Sequence, residues 1–103
     1  MTEFSESVYK VTSKVPTGKV TTYGAIARAI GKPRASHAVG QALKANPHAP
    51  DVVPCHRVVM SDGDIGGYSG RRGVAKKVRL LKEEGVLVDS GRIDLSRFLF
   101  ADF

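Results

Sequence analysis

The sequence predicts a small, mainly α-helical domain with short strands, of the winged-helix-like helix-turn-helix type. Two observations favour this fold: four stretches carry apolar residues at helical spacing, and Pro and Gly residues separate these stretches at short intervals. Strand-like runs are short and lie at 19–21 and 58–60. With 103 residues, the chain can bury a modest core in one compact domain but is too short for two.

The first helix is predicted to end at the sequence Pro16-Thr17-Gly18. Its apolar stripe consists of Phe4, Val8, Val11 and Val15. An extended piece at 19–21 then leads to Thr22, which we expect to be the N-cap of a second helix at 23–30. The predicted inner face of this helix is formed by Ala25, Ile26, Ala29 and Ile30.

A third helix is predicted at about 35–45, after a glycine and the link at 32–34. Its inner side carries Ala38, Val39, Ala42 and Leu43. The second and third helices, joined by a tight turn, form a helix-turn-helix over about 22–45. Small residues are frequent in the third helix, so its backbone can lie close either to another helix or to DNA, and both interpretations stay open.

Cations flank the third helix. On DNA, Arg34 and Lys44 would contact phosphates, and the backbone amides at the start of the helix would face the duplex. Side chains that could read base edges are scarce, because only His37 and Gln41 stand in the middle of the helix. We therefore do not expect sequence-specific binding.

The chain is strongly basic, with 16 Lys+Arg against 10 Asp+Glu, a net charge of +6 and a pI of about 9.8. Such a charge attracts polyanions, of which nucleic acid is the natural example, although a basic surface also serves solubility. One cysteine cannot form an internal disulfide, and no long apolar run or leader is present. We therefore expect a protein without a membrane partner that is not secreted and is cytoplasmic (nucleoid-associated) or nuclear.

The only cysteine stands in the sequence Pro54-Cys55-His56-Arg57-Val58. A thiol beside an imidazole suggests a nucleophile, because the thiolate is the reactive form and an acid/base group helps to generate it. A lone cysteine can equally be a small buried hydrophobe. Neighbouring side chains of an extended segment point to opposite faces, so we expect His56 to reach the sulfur only through a water or a bend at Pro54.

The cysteine lies in an irregular segment at 46–70. The segment begins at Asn46, whose side chain can tie neighbouring backbone groups together. The run 58–60 is predicted to be a buried strand that ends in a turn. A glycine-rich loop with Tyr68 and Ser69 follows, and it can fold over a flat ligand or be a plain surface loop.

The last helix is predicted at about 74–84, with Val78, Leu80 and Leu81 as its apolar positions. Its exposed face is predicted to carry Arg71, Arg72, Lys76, Lys77 and Arg79, which we interpret as solvated charges. Glu84 in the final turn opposes the helix dipole, so its carboxylate is expected to have a role elsewhere.

Several motifs together closely resemble the C-terminal domain of the O6-alkylguanine-DNA alkyltransferase (methylated-DNA–protein-cysteine methyltransferase) family. The most specific motif is the sequence at 54–59, and the resemblance covers about 4–88. The other matching motifs are Gly18-Lys19-Val20-Thr21-Thr22-Tyr23, Ala38-Val39-Gly40, Gly67-Tyr68-Ser69-Gly70 and Glu84-Gly85. Members repair O6-alkylated guanine by moving the alkyl group irreversibly onto their own cysteine. The resemblance implies this single-turnover activity, with neither a metal nor another cofactor.

The resemblance implies four catalytic residues. Cys55 would accept the alkyl group, and His56 would be linked to it through a water. Glu84 would orient His56, and Asn46 would brace the segment between the recognition helix and the active site.

The resemblance also implies how substrate and DNA are bound. Tyr23 would help to push out the damaged nucleotide and would lie near its base. Tyr68 and Ser69 would lie in the loop over the flipped guanine, and the backbone of Cys55 and Val58 would receive its exocyclic amine. The helix-turn-helix of a monomer would dock in the minor groove of double-stranded DNA, with a link to other repair proteins left open. The residues implied at the DNA interface are Arg34, Ala35, Ser36, His37, Gln41 and Lys44.

Three features depart from the family pattern. His37 stands where the family usually has an arginine finger, and imidazole is shorter and less charged near neutral pH. The usual N-terminal ribonuclease-H-like domain is expected to be absent, so that 1–103 form one C-terminal-type domain. The tail at 86–103 is expected to contain a hairpin at 86–93 and an apolar segment, and to pack on the face that the N-terminal domain usually covers. If the apolar segment is exposed instead, it would favour a dimer. Arg71-Arg72 is interpreted as a short insertion before the last helix. The apolar segment comprises Leu95, Phe98, Leu99, Phe100 and Phe103.

The main alternative is an alkyltransferase-like protein, which binds alkylated guanine in the same pocket, transfers nothing and flags the lesion for other repair machinery. In such proteins the cysteine position is commonly a non-nucleophile, whereas Cys55 is present here, so we favour the transferase. A helix-turn-helix regulator with a structural cysteine would need base-reading side chains that the third helix lacks. A zinc site is disfavoured because the cysteine and the histidines show no metal-ligand spacing.

Overall fold

The computed structural model describes residues 3–45, 53–66 and 71–103, without the side chains of 71–73. The helices are α1 (Glu3–Thr12), α2 (Tyr23–Ala29), α3 (Ser36–Lys44), α4 (Arg71–Glu83) and α5 (Leu95–Phe98), and the strands are β1 (Thr21–Thr22) and β2 (Val58–Val59). One turn of 3₁₀ helix, Cys55–Arg57, precedes β2. The predicted fold class, mainly helical with short strands around a helix-turn-helix, is confirmed.

Helix α1 ends at Thr12, earlier than its apolar stripe predicts. The Thr12 hydroxyl donates a hydrogen bond to the carbonyl of Val8, and the backbone then tightens into turns that still bury Val15. Tyr9, which the stripe omits, is buried and donates its hydroxyl proton to the carbonyl of Ala42 at 2.7 Å. Helix α1 is therefore joined to α3 by a hydrogen bond as well as by apolar packing.

The predicted helix-turn-helix is present, and Thr22 is its first N-cap. The Thr22 Oγ1 atom accepts a hydrogen bond from the backbone N–H of Ala25 at 3.0 Å. Two positions on the inner faces were predicted wrongly: Ala29 of α2 and Ala38 of α3 are exposed, whereas Ala27 of α2 is buried. Helix α2 contacts both α1 and α3, so its buried face is directed between these two helices and is not limited to the single predicted row of apolar residues.

Strands β1 and β2 pair in parallel, with Thr21 opposite Val58 and Thr22 opposite Val59. Successive side chains of a strand point to opposite faces, and accordingly Val58 joins the core around α1, α2 and α3 while Val59 joins a second core. The predicted strand ends one residue early, because Met60 is exposed and its N–H turns back to the carbonyl of Asp64. The sheet thus holds the cysteine turn against the start of α2.

Helix α4 differs from its prediction in two ways. It begins at Arg71, three residues before the predicted start, so Arg71 and Arg72 are its first residues. Lys77, predicted to lie on the exposed face, is completely buried. Residues 77, 78 and 81 lie on the same side of α4. On that side, Leu81 is buried in the second core.

The C-terminal tail folds back onto the domain. A tight turn with one antiparallel bridge, Asp89 to Arg92, stands where the hairpin was predicted, and Ser90 there has a positive φ of 52°. Helix α5 was not predicted, because four residues are too few to show a period; Asp94 caps it by accepting a hydrogen bond from the N–H of Ser96. Phe98 is buried in the second core, and its carbonyl accepts a hydrogen bond from the N–H of Val20.

Candidate active site

Cys55 opens the 3₁₀ turn between Pro54 and β2, with 7% of its surface exposed. The N–H of Arg57 donates to the carbonyl of Pro54, and the N–H of Val58 donates to the carbonyl of Cys55. The segment is therefore not extended but turns after Pro54, which is one of the two alternatives left open by the sequence. Proline restricts its own φ, and a tight turn behind it directs the side chains of the next three residues differently from a strand.

His56 is buried, with 2% of its surface exposed, and its Nε2 atom lies 3.0 Å from Oε2 of Glu84. Burial lowers the pKa of His56, and the nearby Glu84 only partly offsets this effect. The other ring nitrogen, Nδ1, is buried and has no hydrogen-bond partner among residues 3–45, 53–66 and 71–103.

Glu84 is held by Arg57, a residue to which the sequence analysis gave no role. Nε of Arg57 donates to Oε1 of Glu84 at 2.9 Å, and Nη2 donates to Oε2 at 2.6 Å. The same guanidinium donates to the carbonyl of Val15 and to Oγ1 of Thr17. Burial alone would raise the pKa of Glu84, but the hydrogen bonds from Arg57 and His56 outweigh it and lower the pKa.

These contacts determine the tautomer of His56. An ionised Glu84 can only accept hydrogen bonds, so Nε2 of His56 carries the proton that it donates to the carboxylate. Because burial favours the neutral ring, Nδ1 then has a lone pair and can accept a proton. Nδ1 of His56 is thus chemically able to act as a base, and the hydrogen bond to Glu84 fixes the orientation of the ring.

Tyr23, the first residue of α2, lies beside this turn. Its ring is close to Gly40 of α3, where a Cβ would meet it at 3.8 Å, and to Gly66, where a Cβ would meet it at 3.9 Å. Nζ of Lys77 lies 6.0 Å from the ring centroid. Burial raises the pKa of Tyr23, and the negative charge that Cys55 can carry adds to the effect. The hydroxyl of Tyr23 is therefore a protonated hydrogen-bond donor at neutral pH.

The structure brings together Cys55, His56, Glu84, Tyr23 and the backbone of Val58. Asn46, Tyr68 and Ser69, for which roles are also predicted, lie outside the described residues. Arg57 and Lys77 were missed. Lys77 could have been found, because it shares a helical face with apolar positions 78 and 81, whereas no periodicity marks Arg57.

The predicted DNA-binding residues lie at the start and along the outer side of α3. Ala35, the N-cap residue, is half-buried and packs against the first core, so its side chain faces inward. The five others are exposed and recur at helical spacing, opposite the buried Val39, Ala42 and Leu43. They are Arg34, Ser36, His37, Gln41 and Lys44.

Within the described ranges, no helix has the length and apolar character needed to cross a membrane. In the same part of the chain, no three His, Cys, Asp or Glu side chains are grouped so that they could hold a metal ion.

Two curated relatives are similar to most of this chain. The methylated-DNA–protein-cysteine methyltransferase of Methanosarcina acetivorans is 48% identical over 84 residues, which are 82% of this chain and 52% of the relative. A bifunctional methyltransferase/endonuclease of Picrophilus torridus is 42% identical over 96 residues, which are 93% of this chain and 31% of the relative. The chain therefore spans between about a third and a half of the length of these relatives.

A solved structure is similar over nearly the full length of both chains. The crystal structure of S. pombe Atl1 in complex with damaged DNA containing O6-carboxymethylguanine matches with a TM-score of 0.87 and 36% identity, covering 97% of this chain and 96% of that chain. The family model described as 6-O-methylguanine DNA methyltransferase, DNA binding domain, matches residues 3–86. The chain belongs to this family of DNA methyltransferase DNA-binding domains.

Proposed function

We propose that this protein flips O6-alkylguanine out of duplex DNA and transfers the alkyl group irreversibly to its own Cys55. The observation that carries the proposal is the assembled set of Cys55, His56 and Glu84, in which the carboxylate is 3.0 Å from the imidazole and the imidazole is adjacent in the chain to the thiol. A nucleophile, a base and a group that orients the base are what this transfer requires.

The proposed reaction is one displacement at the alkyl carbon. The proton of the Cys55 thiol passes through a water to Nδ1 of His56, whose charge Glu84 stabilises. The sulfur then forms a bond to the alkyl carbon, the bond from that carbon to O6 breaks, and its electron pair remains on the guanine. The guanine takes up one proton from water, and His56 returns the proton of the thiol to water. The thioether product has no low-energy route back to thiol, so each molecule reacts once.

Other groups are proposed to hold the base and the DNA. Tyr23, whose hydroxyl stays protonated, donates a hydrogen bond to the guanine as negative charge builds on it. Asn46, Tyr68 and Ser69 keep the bracing and covering roles that the resemblance implies. The small residues of α3 let its backbone approach the minor groove of the DNA. Flipping the damaged base out of the duplex costs a few kcal/mol of free energy.

A second function is favoured by one observation. The likeness to S. pombe Atl1 covers 97% of this chain and 96% of that chain, and that protein was solved bound to DNA containing O6-carboxymethylguanine. In this alternative, the protein binds the lesion in the same pocket without transfer and flags it for another repair pathway. Cys55 would then be a buried wall of the pocket.

Intact-mass measurement separates the two functions. After mixing with an oligonucleotide that carries O6-methylguanine, we expect a methyl group to replace the thiol hydrogen of Cys55 in the wild-type protein, a net mass gain of one CH2 unit. The Cys55→Ala variant should gain nothing while it still binds the lesion. An oligonucleotide with unmodified guanine is the control. Tight binding of the lesion with an unchanged mass would establish the alternative.

The DNA face is tested by salt dependence. We expect Arg34→Ala and Lys44→Ala to weaken binding to all sequences alike and to reduce the slope of log K against log[salt] by about one unit each, because each removes one phosphate contact. Arg92→Ala, which removes an exposed cation from the tail, is the control. Equal slopes for the wild type and for both the Arg34→Ala and Lys44→Ala variants would mean that DNA binds elsewhere on the protein.

A further inference from the structure

The C-terminal tail pairs with residues 60–66, the turn after β2. The N–H of Ile65 donates a hydrogen bond to the carbonyl of Gly91 at 3.0 Å, and the N–H of Ile93 donates to the carbonyl of Gly63 at 2.8 Å. Between these two hydrogen bonds the two segments form an antiparallel bridge. The tail and the turn after β2 are therefore joined through their backbones.

The pairing leaves no room for a side chain at Gly63. This residue has a positive φ of 91°, and a Cβ atom there would overlap the carbonyl oxygen of Ile93. That oxygen belongs to the backbone, which cannot swing aside as the end of a long side chain can. Ile65 and Ile93 are both buried in the second core. The contact is therefore closely packed as well as hydrogen-bonded.

The far end of the turn after β2 lies beside Tyr23. A Cβ atom on Gly66 would meet Cγ and Sδ of Met60 at 3.4 and 3.5 Å, and Cε2 of Tyr23 at 3.9 Å. Asp64 ties the two ends of the turn together, because its side chain accepts a hydrogen bond from the N–H of Gly66 and its carbonyl accepts one from the N–H of Met60. Met60 and Gly66 thus form a wall beside the Tyr23 ring.

The tail is the outer support of this wall. Its residue Arg92 stands opposite Asp64 in the bridge and lies 3.8 Å from Asp62, but an exposed ion pair of this kind holds little. The buried backbone pairing carries the support instead, and it comes from residues beyond the match to the family model, which ends at residue 86. A binding site keeps its shape only when the elements behind it are held firmly. The space beside Tyr23 therefore depends on the tail.

We propose that the tail is a specificity-determining element of this protein: through residues 91–93 it positions Met60 and Gly66 beside Tyr23, and it thereby limits the size of the O6 substituent that is accepted. The inference rests on the proposed function, in which Tyr23 donates a hydrogen bond to the flipped guanine. A base at the Tyr23 ring lies within reach of the same wall, since the Cβ position of Gly66 is 3.9 Å from that ring.

Equilibrium binding to two lesions tests the role of the tail. Otherwise identical duplexes carry O6-methylguanine or O6-benzylguanine, and every protein carries Cys55→Ala, so that no alkyl group is transferred. Gly63→Ala forces the turn and the tail apart. Gly31→Ala is the matched control, because Gly31 also has a positive φ, of 77°, but its added Cβ would meet no atom within 4 Å.

We expect Gly63→Ala to raise the ratio of benzyl to methyl affinity at least about tenfold above that of the Cys55→Ala parent, because a wall that can yield no longer excludes the larger group. Gly31→Ala should keep the ratio of the parent. Ile93→Val shortens one buried side chain of the tail and should raise the ratio by less. It replaces Gly63→Ala as the test if circular dichroism shows that Gly63→Ala does not fold.

Amide hydrogen exchange shows whether the tail has been released. The amides of Ile65 and Ile93 should be protected in the parent and should exchange faster in Gly63→Ala, because their acceptors lie across the contact. Protection that persists in a folded Gly63→Ala protein would overturn the inference.

Two further results would contradict the proposed role of the tail. If the affinity ratio stays at the parent value or falls in the folded variants, or if both lesions lose affinity by the same factor, the tail only stabilises the fold. A parent that binds neither lesion more tightly than unmodified DNA refutes the proposed function and the inference with it. The exchange rates would in that case still report the pairing of the tail with the turn, so the two failures are distinguishable.

Discussion

The His56→Gln variant is expected to transfer the alkyl group about 10²–10⁴ times more slowly than the wild type, which is the usual contribution of a general base. The glutamine amide can still donate a hydrogen bond to Glu84, so the partner of the imidazole is not left unpaired. An amide is not basic, however, and cannot take the proton of Cys55. The loss should therefore fall on the chemical step and leave the pocket intact.

Single-turnover rates at saturating protein measure this step directly. Lesion affinity should stay within a few-fold of the wild type in His56→Gln, and the rate should recover in part at alkaline pH, where hydroxide replaces the base. His37→Gln, which changes an exposed histidine of α3, serves as the control: it should alter DNA affinity more than the saturated rate. A His56→Gln protein with an undiminished rate would show that the relay through the imidazole does not operate.

The Arg57→Met variant is expected to lose about 2–4 kcal/mol of unfolding free energy, the cost of breaking a largely buried ion pair. Arg57 and Glu84 are only 15% and 16% exposed, and Arg57 also donates to Val15 and Thr17. Methionine retains the aliphatic part of the side chain, so the loss isolates the guanidinium. Denaturant unfolding at neutral pH measures the effect.

The exposed pair of Arg92 and Asp62 provides the control for Arg57→Met. Both of its side chains are 60% exposed and their atoms are 3.8 Å apart, so Arg92→Met should cost less than about 0.5 kcal/mol. Because the folded pKa of Glu84 is lowered, the stability it contributes is present above its ordinary value of 4.5 and is lost as the pH falls through the folded pKa. In Arg57→Met this acid-side loss should be smaller. Equal stability losses in the two arginine variants would contradict the central role of the Arg57 contacts.

The parts of the fold that sequence predicted well depend on local chemistry. Thr22 caps α2 because its hydroxyl lies next to the amide of Ala25, three positions along the chain. The contact between His56 and Glu84 was predicted from the family resemblance and not from spacing, since 28 residues separate the two. Its distance could be obtained only from the folded chain.

The errors arise where tertiary contacts override local patterns. Lys77 was placed on the surface because lysine is almost always exposed, and its burial depends on a carbonyl in β2 and a ring in α2 that no local pattern reveals. The sequence gives no signal for Arg57, because its hydrogen-bond partners Val15, Thr17 and Glu84 are all far from it in sequence. A single 3₁₀ turn has no periodic pattern, so the sequence does not distinguish the turn at Cys55 from an extended segment that follows a bend at Pro54.

The two-residue sheet has a mechanical consequence. Strand β1 continues directly into α2, while its partner β2 continues directly from the cysteine turn, and the register Thr21 to Val58 connects them. The helix that begins at Tyr23 and the turn that holds Cys55 are therefore joined by a single pair of hydrogen-bonded backbones. A displacement of α2 must carry the cysteine turn with it, so in the proposed function the aromatic ring and the sulfur would keep their separation when the protein engages DNA.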